Sequence, residues 1–114
     1  MDNSNNQKPV VLVLAGHDPS GGAGIQADIE SIAHAGCHAV TVITSLTNQN
    51  TSKVTEIIPQ DPNIFTEQIR LILEDMTIAA CKIGMIGNSA LLEAIAIELA
   101  QIKVPLVLDP VMSS

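Results

Sequence analysis

With 114 residues the chain fits one small domain or part of a larger one, and only one of its residues is aromatic, so Val, Ile, Leu and Ala must fill any core. Twelve acidic against five basic residues give a net charge of −7, which argues against nucleic acid and anionic membrane surfaces as partners. The longest apolar runs are about half a membrane span and the polar N-terminus does not resemble a signal peptide, so we expect a cytoplasmic protein.

The first structural signal is an apolar run that leads into a glycine-rich turn. Residues 1–9 are polar and rich in Asn, which predicts a flexible tail, and the domain then begins at residue 10. Residues 10–15 predict a strand, and residues 16–29, GHDPSGGAGIQADI, follow it directly. Such a βα turn has an open backbone, so a ligand can approach the first amide groups of the next helix. A tight turn without a ligand is the alternative.

Two common glycine motifs do not fit this turn. The P-loop pattern fails because Gly22 and Ala23 occupy the positions of its lysine and hydroxyl residue. The dinucleotide-binding pattern fails because its expected acidic residue is missing, with nothing acidic between Glu30 and Glu56. We therefore expect a different kind of ligand site.

The next segments predict a helix and a buried strand. Residues 22–35 have helical periodicity, with Asp28 off the apolar stripe and Gly36 as a stop; the stripe consists of Ile25, Ile29, Ile32 and Ala33. Residues 37–46 are rich in β-branched side chains and predict one buried strand. Residues 47–53 read as a polar loop, and residues 54–58 as a short edge strand that Pro59 ends.

The second half repeats the alternation of strand and helix. Asp61 and Pro62 predict a helix start, and the apolar positions after them have helical spacing: Phe65, Ile69, Ile72, Leu73 and Met76. Residues 79–86 predict a strand, Asn88 or Ser89 caps a helix with Leu92, Ile95, Leu99 and Ile102 on one face, and residues 105–108 form the last strand. This alternation predicts a parallel sheet between helices.

Polar segments follow every strand of this predicted sheet. They are residues 16–24, 47–51, 84–89 and 109–114. Because ligands bind beyond the carboxyl ends of parallel strands, the four segments together favour a small-molecule site. Cys37 and Cys81 have neither CxxC nor metal-site spacing, so we interpret both as small buried thiols.

Four ordered motifs in these segments resemble a known family. They are GHDPSGGAGIQAD, TSLTNQNT, KIGMIG and LDPVM, within residues 10–112. Together they look like the N-terminal part of the hydroxymethylpyrimidine/phosphomethylpyrimidine kinases of thiamine biosynthesis. Together with the alternation of strand and helix, the resemblance implies a three-layer α/β/α ribokinase-like fold. Its four strands would lie in the spatial order 2-1-3-4, with strand 4 at an unprotected edge. Residues 10–114 would be the N-terminal, substrate-binding part of this fold.

The resemblance also implies a reaction and a set of contacts. ATP, with Mg²⁺, would phosphorylate 4-amino-5-hydroxymethyl-2-methylpyrimidine and then its monophosphate. Gln49 would hydrogen-bond the pyrimidine edge with its amide, and Asp28 would be a second polar partner. Gly16 would allow close approach, Asp109 would lie towards the phosphates and their magnesium, and three residues would form walls of the site: Thr47, Met85 and Val111. Thr47 stands where an aliphatic residue is common, and His17 is expected to face solvent.

Length separates this sequence from the family. Members run to more than twice 114 residues, and their second half holds the anion hole, the catalytic residue and most of the ATP site. We therefore expect a fragment, a truncated product or a partial sequence that is inactive by itself. A pyridoxal-type kinase of the same superfamily and a non-catalytic remnant are the alternatives, and a homodimer is compatible with the full-length family.

Overall fold

The described part of the chain, residues 8–109 of a computed structural model, forms nine helices and strands. Their order is β1 (Val10–Ala15), α1 (Gly24–His34), β2 (His38–Ile43), β3 (Ser45–Gln49), β4 (Val54–Pro59), α2 (Pro62–Asp75), β5 (Ala80–Ile83), α3 (Ser89–Leu99) and β6 (Leu106–Leu108). Most of the predicted tail and Val111 lie outside these residues. Among the described helices, none combines the length and apolar character that a membrane crossing requires.

Strand β1 is central to a parallel sheet of four strands in the order β2-β1-β5-β6. All six residues of β1 pair with β2, from Val10 opposite His38 to Ala15 opposite Ile43. Strand β5 pairs with the other side of β1, and β6 pairs with β5. The predicted spatial order of the four parallel strands is thus confirmed, and the carboxyl ends of all four lie on one rim.

Alternate side chains of β1 enter two different cores. Leu12 and Leu14 are fully buried on the face covered by α2 and α3, with Phe65 of α2 among them. Val13 and Ala15 face α1 and pack against Ile25. Helices therefore cover both faces of the sheet, and the predicted three-layer α/β/α arrangement is confirmed.

The prediction of one strand over residues 37–46 is wrong, because the chain bends at Thr44. The amide of Thr44 still donates to the carbonyl of Ala15 at 2.9 Å, at the point where β1 ends. Beyond it, β3 leaves the parallel sheet and pairs antiparallel with β4, with a shift of register between Asn48 and Gln49. Much of the predicted polar loop is therefore strand, held by backbone hydrogen bonds that need no apolar pattern. Strand β4 exists as predicted, but its partner is β3.

Helix starts agree with the sequence better than helix faces do. Asp61 accepts hydrogen bonds from the amides of Asn63 and Ile64 at 2.7 and 3.3 Å, and Asn88 caps α3 through the amide of Leu91 at 2.9 Å. The cap at Asp61 is confirmed, and of the two predicted candidates for α3, Asn88 or Ser89, the cap is Asn88.

The predicted stripes of α1 and α3 are confirmed in part. Ile25 of α1 and Ile95 and Leu99 of α3 are buried. In α1, however, Asp28 is buried whereas Ile29 is 41% exposed, and in α3 the first residue that enters the core is Leu91 and not Leu92. Apolar residues on several sides of a helix leave the edge of its buried face undetermined by one position.

Candidate functional site

A cleft of about 1090 Å³ lies at the carboxyl ends of β1, β5 and β6, beneath the β3–β4 hairpin. It brings together all of the predicted site residues that the structure describes: Gly16, Asp28, Thr47, Gln49, Met85 and Asp109. The elements that position them are far apart in sequence, and only the parallel order of the strands places their ends side by side. Val111, the remaining predicted wall residue, lies outside the described residues.

The turn after β1 is tight enough to require glycine at Gly24, and Gly16 keeps the backbone close to the cleft wall. Gly24 has φ +66°, and a Cβ there would lie 2.4 Å from the carbonyl oxygen of Gly16. That carbonyl also accepts from the amide of Ile25 at 2.9 Å, which fixes the start of α1 against the end of β1. At Gly16 itself a Cβ would lie 2.5 Å from Cε of Met85, so any larger residue would displace this methionine from the cleft wall.

Asp18 occupies the concave side of the same turn. Its Oδ1 accepts from the hydroxyl of Ser20 at 2.7 Å and from the amide of Ser20 at 2.8 Å. The Ser20 hydroxyl, followed by the amides of Ser20, Ala23 and Gly22, lowers the pKa of Asp18 against the opposing effect of burial. The Asp18 carboxylate thus accepts hydrogen bonds from these amides, as a side-chain cap of a helix does.

The floor of the cleft holds one ammonium between two carboxylates. Lys82 of β5 donates to Oδ1 of Asp28 and lies 3.5 Å from Oδ2 of Asp109. The Asp28 side chain is 8% exposed, Lys82 25% and Asp109 60%, so the charges become more accessible towards β6. Burial lowers the pKa of Lys82, but the hydrogen bond and charge of Asp28, with Asp109 beyond it, raise it above its ordinary value. Lys82 therefore stays protonated at neutral pH.

Asp28 is a predicted site residue, but its burial and its ion pair with Lys82 do not follow from the sequence pattern. Asp28 lies off the predicted apolar stripe, yet it is buried because α1 turns this carboxylate towards β5. Lys82 lies within a predicted apolar strand. The available signal was a single lysine between Cys81 and Ile83, both buried in the opposite core.

The hairpin is anchored to the first turn by a buried threonine. The hydroxyl of Thr47 lies 2.7 Å from the carbonyl oxygen of His17 and 2.7 Å from Oε1 of Gln49. The amide of His17 donates to the carbonyl of Ser45 at 2.9 Å, so backbone and side chain together hold β3 over the cleft. His17 is half-buried and lines the cleft, which corrects the expectation that it faces solvent.

Asp109 is suited to bind Mg²⁺ together with a substrate phosphate, because no complete set of protein ligands surrounds it within residues 8–109. Residues 8–109 contain no group of three or more metal-binding side chains. Mg²⁺ commonly binds through one or two carboxylates together with the phosphates of a substrate, so an exposed carboxylate at the mouth of a cleft suits it. Asp109 is therefore suited to an ion that the protein and a bound phosphate hold together, and not to an ion held by protein ligands alone.

Comparison with known proteins gives consistent results. A family model described as phosphomethylpyrimidine kinase matches residues 18–114. The hydroxymethylpyrimidine/phosphomethylpyrimidine kinase of Aquifex aeolicus is 43% identical over 106 residues, which are 92% of this chain and 42% of that protein.

Solved structures agree with the sequence matches. The crystal structure of phosphomethylpyrimidine kinase from Clostridium difficile 630 has a TM-score of 0.86 at 39% identity, covering 94% of this chain and 47% of that one. Pyridoxal kinase from Staphylococcus aureus, in complex with AMP-PCP and pyridoxal, has a TM-score of 0.81 at 25% identity, covering 93% and 40%. The chain thus spans less than half the length of these relatives.

Proposed function

Since the chain belongs to the phosphomethylpyrimidine kinase family, we propose that it is the substrate-binding part of an enzyme that phosphorylates 4-amino-5-hydroxymethyl-2-methylpyrimidine. The same site would then accept the monophosphate, with ATP as the phosphoryl donor, in thiamine biosynthesis. One observation supports this most strongly: the five described residues that the resemblance assigns to the substrate, and Asp109 on the phosphate side, all line a single cleft. The free thiols of Cys37 and Cys81 suit a cytoplasmic location.

Each residue has a distinct role in this proposal. The Gln49 amide would hydrogen-bond the amino group and ring nitrogen of the pyrimidine, because an amide offers both a donor and an acceptor. Gly16 would let the ring approach the backbone, with Met85 as one wall and Val111 as the opposite one. Asp28 would offer its Oδ2, which has no hydrogen bond to any of residues 8–109, to a polar group of the substrate.

The phosphate end of the site would be the exposed side of the cleft floor. Asp109 would hold Mg²⁺, which supplies positive charge to the phosphates when it is bound. Lys82 neutralises part of the negative charge of Asp28 and Asp109, so an anionic monophosphate would meet less repulsion there. Its ammonium is held by both carboxylates, so we assign it to charge balance and not to proton transfer.

A pyridoxal-type kinase is the second candidate. The likeness to the Staphylococcus aureus pyridoxal kinase supports it, and pyridoxal is also a heterocycle with a hydroxymethyl group. The two substrates differ at the ring edge: the pyrimidine carries an amino group beside a ring nitrogen, for which the Gln49 amide is suited. The higher identity to the pyrimidine kinases favours the first candidate.

Calorimetric titration of the 114-residue chain with each compound tests the proposal. We expect the pyrimidine alcohol to bind more tightly than pyridoxal. Tighter binding of pyridoxal would favour the second candidate, and no binding of either would favour a non-catalytic remnant.

Turnover gives a separate test. Phosphoryl transfer needs positioned positive charge around the transferring group. The Lys82 ammonium on the cleft floor is already held by two carboxylates, so we expect no ATP-dependent phosphorylation by the 114-residue chain. Measured turnover would show that this chain contains an anion site of its own.

A further inference from the structure

We infer that Thr47 is a positioning residue that fixes the orientation of the Gln49 amide and thereby selects an amino-substituted ring over an oxo-substituted one. This inference rests on the proposed function, since it concerns the ligand that Gln49 meets. It begins with one buried hydroxyl: Thr47 is 6% exposed, and its Oγ1 lies 2.7 Å from two oxygens, the His17 carbonyl and Oε1 of Gln49.

One hydroxyl has one proton, so it can donate to only one of these oxygens. The other oxygen would then face a lone pair at hydrogen-bond distance, which is repulsive. The conflict disappears if the Gln49 amide turns by 180° about its last torsion, because its NH₂ group then takes the place of Oε1. The Thr47 hydroxyl donates to His17 and accepts from Nε2 of Gln49.

The carbonyl of His17 cannot make the corresponding adjustment. The amide of the same residue donates to Ser45 at 2.9 Å, and the preceding carbonyl, that of Gly16, accepts from Ile25 at 2.9 Å. Within residues 8–109, the Thr47 hydroxyl is the only group that donates to the His17 carbonyl. The side-chain amide is therefore the group that turns, since its nitrogen and oxygen have nearly the same shape.

This orientation gives the cleft a defined pattern of hydrogen bonding. With one N–H of Gln49 engaged by Thr47, the amide presents Oε1 as an acceptor and its second N–H as a donor. That pair matches an amino group beside an unprotonated ring nitrogen. It opposes an oxo group beside a ring N–H, where acceptor would face acceptor and donor would face donor. A glutamine free to turn would accept both rings.

Two substitutions of Thr47 test whether the orientation of the Gln49 amide, and not only its presence, determines which ring binds. Thr47→Val keeps the shape but removes the hydroxyl, so the Gln49 amide is free to turn; Thr47→Ser keeps the hydroxyl and serves as the matched control. The probes are 4-amino-5-hydroxymethyl-2-methylpyrimidine and its 4-oxo analogue, titrated by calorimetry into the 114-residue chain.

In the wild type and in Thr47→Ser we expect the amino compound to bind at least about tenfold more tightly than the oxo compound, since the mismatched ring leaves buried polar groups unpaired. In Thr47→Val we expect that preference to shrink towards unity, mainly through gain of oxo binding. An undiminished preference in Thr47→Val, or its loss in Thr47→Ser, would overturn the inference.

A spectrum of the ligand-free chain decides the orientation independently. The Gln49 side-chain ¹H–¹⁵N signals should show one hydrogen-bonded, slowly exchanging proton in the wild type and in Thr47→Ser but not in Thr47→Val. Two equally exchanging protons in all three proteins would refute the inference. If neither compound binds the wild type, the proposed function fails, and this spectrum still tests whether Thr47 orients the amide.

Discussion

Replacing Lys82 by Met tests whether the ion pairs on the cleft floor hold α1 against the sheet. The substitution keeps the length of the side chain but leaves Asp28, whose side chain is 8% exposed, as a buried carboxylate without its partner. Removing one partner of a buried pair costs about 3–5 kcal/mol, whereas an exposed pair contributes under about 1 kcal/mol. Because Lys82 is itself 25% exposed, we expect a loss of about 2–4 kcal/mol.

Urea unfolding measures this loss. With a slope of about 1–2 kcal/mol per molar for a small protein, the midpoint should fall by about 1–4 M at neutral pH. Lys103→Met, at an exposed position after α3, is the matched control and should leave the midpoint nearly unchanged. The double variant Asp28→Asn with Lys82→Met removes both charges, so it should recover much of the lost stability.

The pH dependence provides a further check on the same pair. The raised pKa of Lys82 means that the folded state holds this proton more tightly than the unfolded state does. Its contribution is complete below the ordinary lysine pKa of about 10.4 and is lost as the pH rises through the higher folded value. Equal urea midpoints for Lys82→Met and Lys103→Met at neutral pH would refute the reasoning.

The remaining predictions concern the amide, the thiols and the sheet edge. Gln49→Leu removes the donor and the acceptor of the amide at a cost of about 1–3 kcal/mol, so calorimetry should show pyrimidine binding about tenfold to hundredfold weaker. The control Gln101→Leu, at an exposed position, should not change the binding. Equal dissociation constants for the wild type and Gln49→Leu would contradict this prediction. Burial raises the pKa of Cys81 to about 11, so its thiol stays largely protonated at about pH 9. At that pH iodoacetamide should modify only the half-buried Cys37 in the native chain, and both thiols in urea. Rapid labelling of both thiols in the native chain would contradict this prediction. Leu108→Lys places a charge on the exposed β6 edge, so it should reduce self-association in sedimentation experiments at high concentration. Unchanged sedimentation would show that this edge does not mediate self-association.

Local signals in the sequence predict most of the main sheet and its helices. The caps at Asp61 and Asn88 act within three residues of themselves, so their effect can be read from the nearby sequence alone. The strand–helix alternation likewise predicts that the strands pair in parallel. The order of the strands needed the family resemblance as well, because β1 pairs with the distant β5, with Val11 opposite Ala80.

The missed features depend on partners far away in the sequence. Lys82 pairs with Asp28, which lies 54 positions earlier in the sequence, and the residues next to either one do not predict the other. The β3–β4 hairpin is stabilised by backbone pairing and by the anchoring of Thr47 to His17, 30 positions away. A polar segment that forms a strand for these reasons has no apolar alternation to reveal it.

Most of these departures from a simple sequence pattern surround the same cleft. A buried carboxylate on α1, a lysine inside β5 and a polar hairpin each cost stability unless they are paired, and here the first two are paired with each other. Glu98 offers a contrast on the opposite face: its two oxygens accept from Arg70 at 3.2 and 3.1 Å, which joins α3 to α2 and leaves both oxygens engaged. Within residues 8–109, Oδ2 of Asp28 accepts no hydrogen bond, and Asp28 lines the cleft. The ion pair with Arg70 explains the burial of Glu98, whereas the second oxygen of Asp28 is available to a ligand in the cleft, as expected where local rules fail at a functional site.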